Sequence, residues 1–229
     1  MLLKIYQNLT YMQKLIIIML AFCAGFSIMS FELLGGRMLA PFFGSSVYVW
    51  GSIITVFMLA LSLGYLFGGR LSVHNPNLTK FGSIFTLAAI SLLPAIYFAD
   101  PLFELVFQHI EDPRYGSLVA ASLVFLMPSI ILGTISPYSV RLLTVSAHAS
   151  GKTAGFLYFV STLGSAIGTI MTSFYLVLWL EVNQILWLIV GILLASGLLA
   201  FGCAFKINSN SAQAITAQPD FNKQPNETI

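Results

Sequence analysis

The chain has 229 residues, of which 58% are hydrophobic and only 8% charged, with a mean hydropathy of +0.90 and a net charge of +2. A soluble domain of this length carries about a quarter charged residues, so a globule in water is excluded. No basic cluster points to nucleic acid, and runs of about 20 apolar residues recur, which is what a bilayer-crossing helix needs. The expected class is all-α, a polytopic membrane helix bundle.

The amino-terminal segment 1–14 carries Lys4 and Lys14 ahead of a long apolar run. That run continues to Glu32 without a small-x-small cleavage site, and Phe22 before Cys23 is too bulky for a lipoprotein signal, so it reads as a retained helix. Six spans follow within residues 15–207: Leu15–Leu34, Val47–Phe67, Phe81–Ala99 with Pro94 as a kink, Ser117–Ile135 with Pro128, Ala154–Leu180, and Ile185–Phe205. None alternates apolar and polar residues as a barrel strand does, so the spans are helical. The tail, 208–229, is rich in Asn, Gln, Ser, Thr and Pro and is expected to be disordered.

Lysines and arginines set the expected orientation. Eight of them (Lys4, Lys14, Arg70, Lys80, Arg141, Lys152, Lys206 and Lys223) fall on one side and two (Arg37 and Arg114) on the other. Both termini are therefore placed in the cytoplasm, in an inner cell membrane. The sequons at Asn8, Asn77 and Asn226 then lie on the cytoplasmic side and stay unglycosylated. Cys23 and Cys203 read as small packing residues, and His74, His109 and His148 lie in three different loops. No metal site and no cofactor is expected.

An internal echo links the halves. "LGYLFGG" at 63–69 and "LGSAIGT" at 163–169 each hold a small-xxx-small pair, Gly64/Gly68 and Gly164/Gly168, one hundred residues apart. Such pairs pack membrane helices closely. With three spans in each half they also fit a 3+3 inverted repeat, as in many secondary transporters.

Chemistry concentrates in "SFELLGGRMLAPFFGSSVYVW", Ser30 to Trp50. An ionisable residue at membrane depth faces protein or a water-filled cavity and has a partner. Glu32 and Arg37 are five residues apart, roughly 140° around an unbroken helix. The Gly35-Gly36 pair is expected to break that helix, fold the chain back and allow an ion pair, with Met38 to Phe43 either dipping into the bilayer edge or packing under neighbouring helices. Two readings stand: a half-buried polar site for a small solute, or a latch between the first two spans. In the other half Gly133, Ser136, Pro137 and Arg141 are expected to end the fourth span in a break. Thr162, Ser165 and Thr169 make the fifth span the most polar, facing either a pore or a tight packing seam. No phosphate loop, G-x-S-x-G, HExxH or metal-ligand cluster occurs.

Glu32, Arg37, "LAPFFGSS", Trp50, "LGYLFGGRL", "LGTISPYSVRLL" and "GKTAGFLYFVSTLGSAIGT", spread over about Phe22 to Ile207, together resemble the membrane domain of the membrane-bound spermidine synthase-like proteins, the fused major-facilitator/spermidine synthase group. The resemblance implies a cytoplasmic aminopropyltransferase-like domain after this region, with a Rossmann-like fold binding decarboxylated S-adenosylmethionine and a polyamine acceptor. The sequence stops where that domain would begin. It is thus expected to be the membrane half alone, without synthase activity of its own. It would serve as a transporter-like module or a membrane anchor for a separate aminopropyltransferase-like partner, in polyamine-related chemistry. Substrate binding, of a small cationic solute, would rest on Glu32 and Arg37, then Trp50, Ser136 and Arg141. Two other readings remain: a structural subunit of another membrane assembly, and a membrane-embedded enzyme using Glu32 as acid and base.

Overall fold

The computed structural model describes residues 11–73, 75–144 and 150–216. His74, His148, Asn8, Asn226 and the tail beyond Thr216 lie outside them. Among the described residues there is no strand, and six helical spans are long and apolar enough to cross a membrane: Tyr11–Phe43, Val47–Val73, Leu78–His109, Pro113–Leu143, Ser150–Trp179 and Val182–Phe205. The chain is a multi-pass helical membrane protein.

Two expected breaks are absent and two interruptions occur elsewhere. The first helix runs unbroken through Gly35, Gly36 and Pro41 to Phe43, and the fourth through Pro128 and Pro137 to Leu143. The third span is divided at Leu92, where Pro94 begins a second helix because its ring cannot donate the hydrogen bond of a continuing turn. The fifth passes through a π-helical turn at Thr172–Leu176, and the last helix continues to Thr216, past the start of the segment expected to lack structure.

Three glycine seams build the bundle. A Cβ on Gly64 or Gly68, in the second span, would strike the carbonyls of Ile130 and Thr134 in the fourth. One on Gly164 or Gly168, in the fifth, would strike those of Phe22 and Phe26 in the first. Seen from the other side, Gly133 abuts Leu61 and Gly25 abuts Ser161, and the residues they abut are again one hundred apart. Third and sixth spans meet reciprocally: Gly82 faces the Gly197 carbonyl and the Phe201 ring, while Gly197 faces the Gly82 carbonyl and the Thr86 hydroxyl. A single exchange of first for fourth, second for fifth and third for sixth therefore maps every seam onto another or onto itself. Three spans separate the equivalents, so the halves run in opposite directions, the packing of an inverted repeat.

The first and fourth spans form the centre, held by Phe31 and Phe125 at 5.2 Å between ring centroids, with Phe57 of the second span 5.6 Å from Phe31. Third and sixth cover one flank. Near that flank Tyr138 is fully buried, stacks on Phe81, and accepts a 3.1 Å hydrogen bond from the Asn77 amide while donating to the Asn77 carbonyl. Asn77 in turn caps the third span through Lys80 N–H. Tyr138→Phe is expected to cost about 1–2 kcal/mol by leaving the Asn77 amide short of a partner; thermal unfolding in detergent, compared with the parent, measures it.

Candidate functional site: a polar groove between the second and fifth spans

The second and fifth spans lie on the flank opposite the third and sixth. Each packs on a central helix, and the two make at most a grazing contact with one another. Between them runs a groove floored by the first and fourth spans. Tyr65 of the second span, next to the seam residue Gly64, and Tyr158 of the fifth are both exposed. Trp50 lies against the backbone of Gly36, where a Cβ would meet the indole ring. From Trp50 to Tyr65 the groove is about 22 Å long at the helical rise per residue.

Glu32 faces this groove. Seven residues before it Gly25 touches the fifth span, and four after it Gly36 touches Trp50 of the second. These positions form one helical stripe, so Glu32 stands where the two walls part. It is half-buried, and among the described residues it has neither an ion pair nor a hydrogen bond. A charged group at the bilayer centre costs up to about 3 kcal/mol even on the lenient insertion scale, so such residues mark pathways or binding sites.

The expected ion pair with Arg37 does not form. With the helix continuous, Arg37 stays on another face and is exposed. The glycines do different work from a break: Gly35 receives the Phe125 ring and Ile53, and Gly36 receives Trp50. Without side chains at 35 and 36, two large neighbours reach the helix backbone beside Glu32.

Hydroxyls supply the rest of the polar lining. Tyr158, Thr162, Ser165 and Thr169 recur at helical spacing on the fifth span, turned from its seam with the first toward the groove. Ser165 donates to the Gly25 carbonyl at 3.2 Å, and Thr169 donates to the Ser165 carbonyl. Inside the seam of the first and fifth spans, on the side of the first helix away from Glu32, the buried Thr172 donates to Ser30 at 2.8 Å, at the first residue of the π-helical turn. Wide turns of this kind occur often at functional sites. Ser136 is half-buried in the fourth span, which continues through it as helix.

The structure thus sets Trp50 against Gly36, one turn from Glu32 on the same stripe, and leaves Arg37 and Arg141 exposed elsewhere. Arg141 is exposed in the last turn of the fourth span, beyond the level where Gly68 meets Pro137, at the end of the bundle remote from Trp50. Gly64, Gly68, Gly164 and Gly168 are all seam residues, as their spacing suggested. Sequence reasoning missed Tyr65 and Tyr158, because an aromatic residue in an apolar run carries no local sign of what it faces. It also missed the clasp at the start of the second and fourth spans, where the Arg114 guanidinium sits 4.8 Å over the Tyr48 ring. Comparisons with protein-family models, with curated proteins and with solved structures find no match to this chain.

Proposed function

We propose that the chain is a transporter-like membrane module that takes a small cationic solute into the groove between its second and fifth spans, with Glu32 as the binding carboxylate. The observation that carries this reading is a half-buried acid without a protein partner, facing a hydroxyl-lined groove in an inverted repeat. Such repeats place solute sites at the interface of their halves. A cation in the groove supplies the opposite charge that Glu32 lacks, and the Trp50 and Tyr65 rings offer aromatic faces to an ammonium group. One carboxylate among hydroxyls favours binding over acid–base catalysis, which calls for a second group on the far side of the bond being broken.

By its resemblance to the spermidine synthase-like membrane domains, the module belongs to polyamine-related chemistry, with a separate aminopropyltransferase-like protein at its cytoplasmic face and both termini in the cytoplasm of the inner membrane. Proteoliposomes loaded with buffer and offered labelled spermidine test it. Uptake by the parent protein and at least a tenfold loss in Glu32→Gln, with insertion unchanged, are expected. Equal uptake by the two proteins removes Glu32 from the site. No uptake by either, together with stable capture of a soluble Rossmann-type protein, makes the chain an anchor instead.

A further inference from the structure

Glu32 is the one carboxylate among the described residues that is not exposed. It lies eleven residues from Phe43, the nearer end of its helix, which is about 16 Å of helical rise and well inside a hydrocarbon layer. Its neighbour Phe31 packs edge-on against Phe57 and Phe125, so the carboxyl group stands beside the dry aromatic centre of the bundle.

Among the described residues no cation pairs with it. Lys14 and Arg37 on its own helix are exposed. So are the charged side chains of the elements packed on that helix: Arg70 of the second span, Asp100, Glu104 and His109 of the third, Arg114 and Arg141 of the fourth, and Lys152 of the fifth. Glu181, ahead of the sixth span, is exposed as well, and the Cys23 thiol is hydrogen-bonded to Ser196 of the sixth. The other titratable groups on the second and fifth spans are phenols, Tyr65, Tyr158 and Tyr175, which carry no charge near neutral pH. A lone carboxylate at this depth has two ways to avoid an uncompensated charge: a bound cation or a proton of its own.

We propose that Glu32 exchanges a proton for its cation: the empty site holds Glu32 as the neutral acid, and each solute that binds displaces one proton. This rests on the reading of Glu32 as the binding carboxylate. On binding, the carboxyl O–H bond breaks, its electron pair stays on the carboxylate that meets the cation, and the proton leaves to water. Release of the solute reverses the step. The same charge argument governs the return of the empty site. Moving it ionised through an apolar layer is slowed about a hundredfold relative to moving it neutral. Solute therefore travels one way and a proton the other, and the chain is an exchanger rather than a passive carrier.

The test titrates the full chain, in nanodiscs of neutral lipid, with spermidine in buffers of different ionisation heat, so that calorimetry counts the protons released. About one proton per spermidine is expected for the parent near neutral pH, with affinity rising up to tenfold per unit of pH. Glu32→Gln has no proton to give and is expected to lose both binding and release, whereas Glu32→Asp keeps the release at weaker affinity. In proteoliposomes held at zero potential, an acid interior one pH unit below the outside is expected to drive about tenfold spermidine accumulation over protein-free vesicles. Binding without proton release, or uptake indifferent to the gradient, overturns the exchange; if Glu32→Gln still loses that binding, Glu32 remains the site. Equal binding by the parent and Glu32→Gln, or none by the parent, overturns the reading of the site and the exchange with it.

Discussion

Gly164→Leu, and equally Gly64→Leu, is expected to eliminate the folded protein, with each variant destabilised by more than about 3 kcal/mol, over a hundredfold in the folding equilibrium. The obstacle in both cases is backbone. A side chain at Gly164 meets the Phe22 carbonyl, and one at Gly64 meets the Ile130 carbonyl and the Gly133 backbone. A flexible side chain can swing aside at modest cost, whereas a helix backbone moves only as a unit, taking its seam with it. Between membrane helices the loss is not recovered elsewhere, because lipid is as apolar as the packed face and association rests on close contact. Gly191→Leu is the control, since nothing lies within 4 Å of its Cβ position, and its effect is expected to stay within about 0.5 kcal/mol. Fluorescence-detected size exclusion of tagged protein distinguishes them: a monodisperse peak for Gly191→Leu and aggregate or no peak for the other two. The two seam variants are also expected to fail to the same degree, because the repeat gives them equivalent surroundings; survival of one alone would mean that the halves are held unequally.

Those seams were legible in the sequence because their signal is local. Two glycines four residues apart in an apolar run have few uses, and the echo one hundred residues later pointed to the same use twice. Span number followed from apolar length for the same reason. Helix ends were harder. The fourth span extends past Ile135 through Ser136, Pro137 and Arg141, since an apolar count stops at polar residues whereas a helix continues as long as its backbone bonds are made. Gly35-Gly36 was misread because glycine lowers helix propensity in isolation, and here tertiary packing decides: the Phe125 and Trp50 rings fill the space the missing side chains leave. Glu32 was visible as a misplaced acid, but the direction it faces was not. The nearest cation in sequence lies on the wrong helical face, and only the placement of Gly25 and Gly36 on two different walls reveals which way the carboxylate points.

Phe125→Ala is the second large effect, and the bilayer changes how its size is reckoned. The Phe125 ring joins four spans at one point: it packs on Phe31 of the first at 5.2 Å, on Phe57 of the second at 5.7 Å and on Phe103 of the third at 6.3 Å, while its edge fits against Gly35. In a soluble protein such a truncation loses both transfer free energy and packing. Here the unfolded reference is still in lipid, so the transfer part largely drops out and the cavity remains. At about 24 cal/mol per Å³, a hole of roughly 100 Å³ costs about 2.4 kcal/mol, and loss of the edge-on pairing with Phe31 adds about 0.5–1.5 kcal/mol. The expected loss is about 3–4 kcal/mol. Phe125→Leu, which refills most of the space without the ring pairs, is expected to recover about half. Leu198→Ala serves as the comparison, because that side chain is 70% exposed and faces lipid in the folded state; truncating it exchanges one apolar neighbour for another. Unfolding titrations in mixed micelles rank the three. If Phe125→Ala and Leu198→Ala unfold together, then the aromatic cluster does not hold the central helices, and the groove they floor has no fixed shape for Glu32 to face.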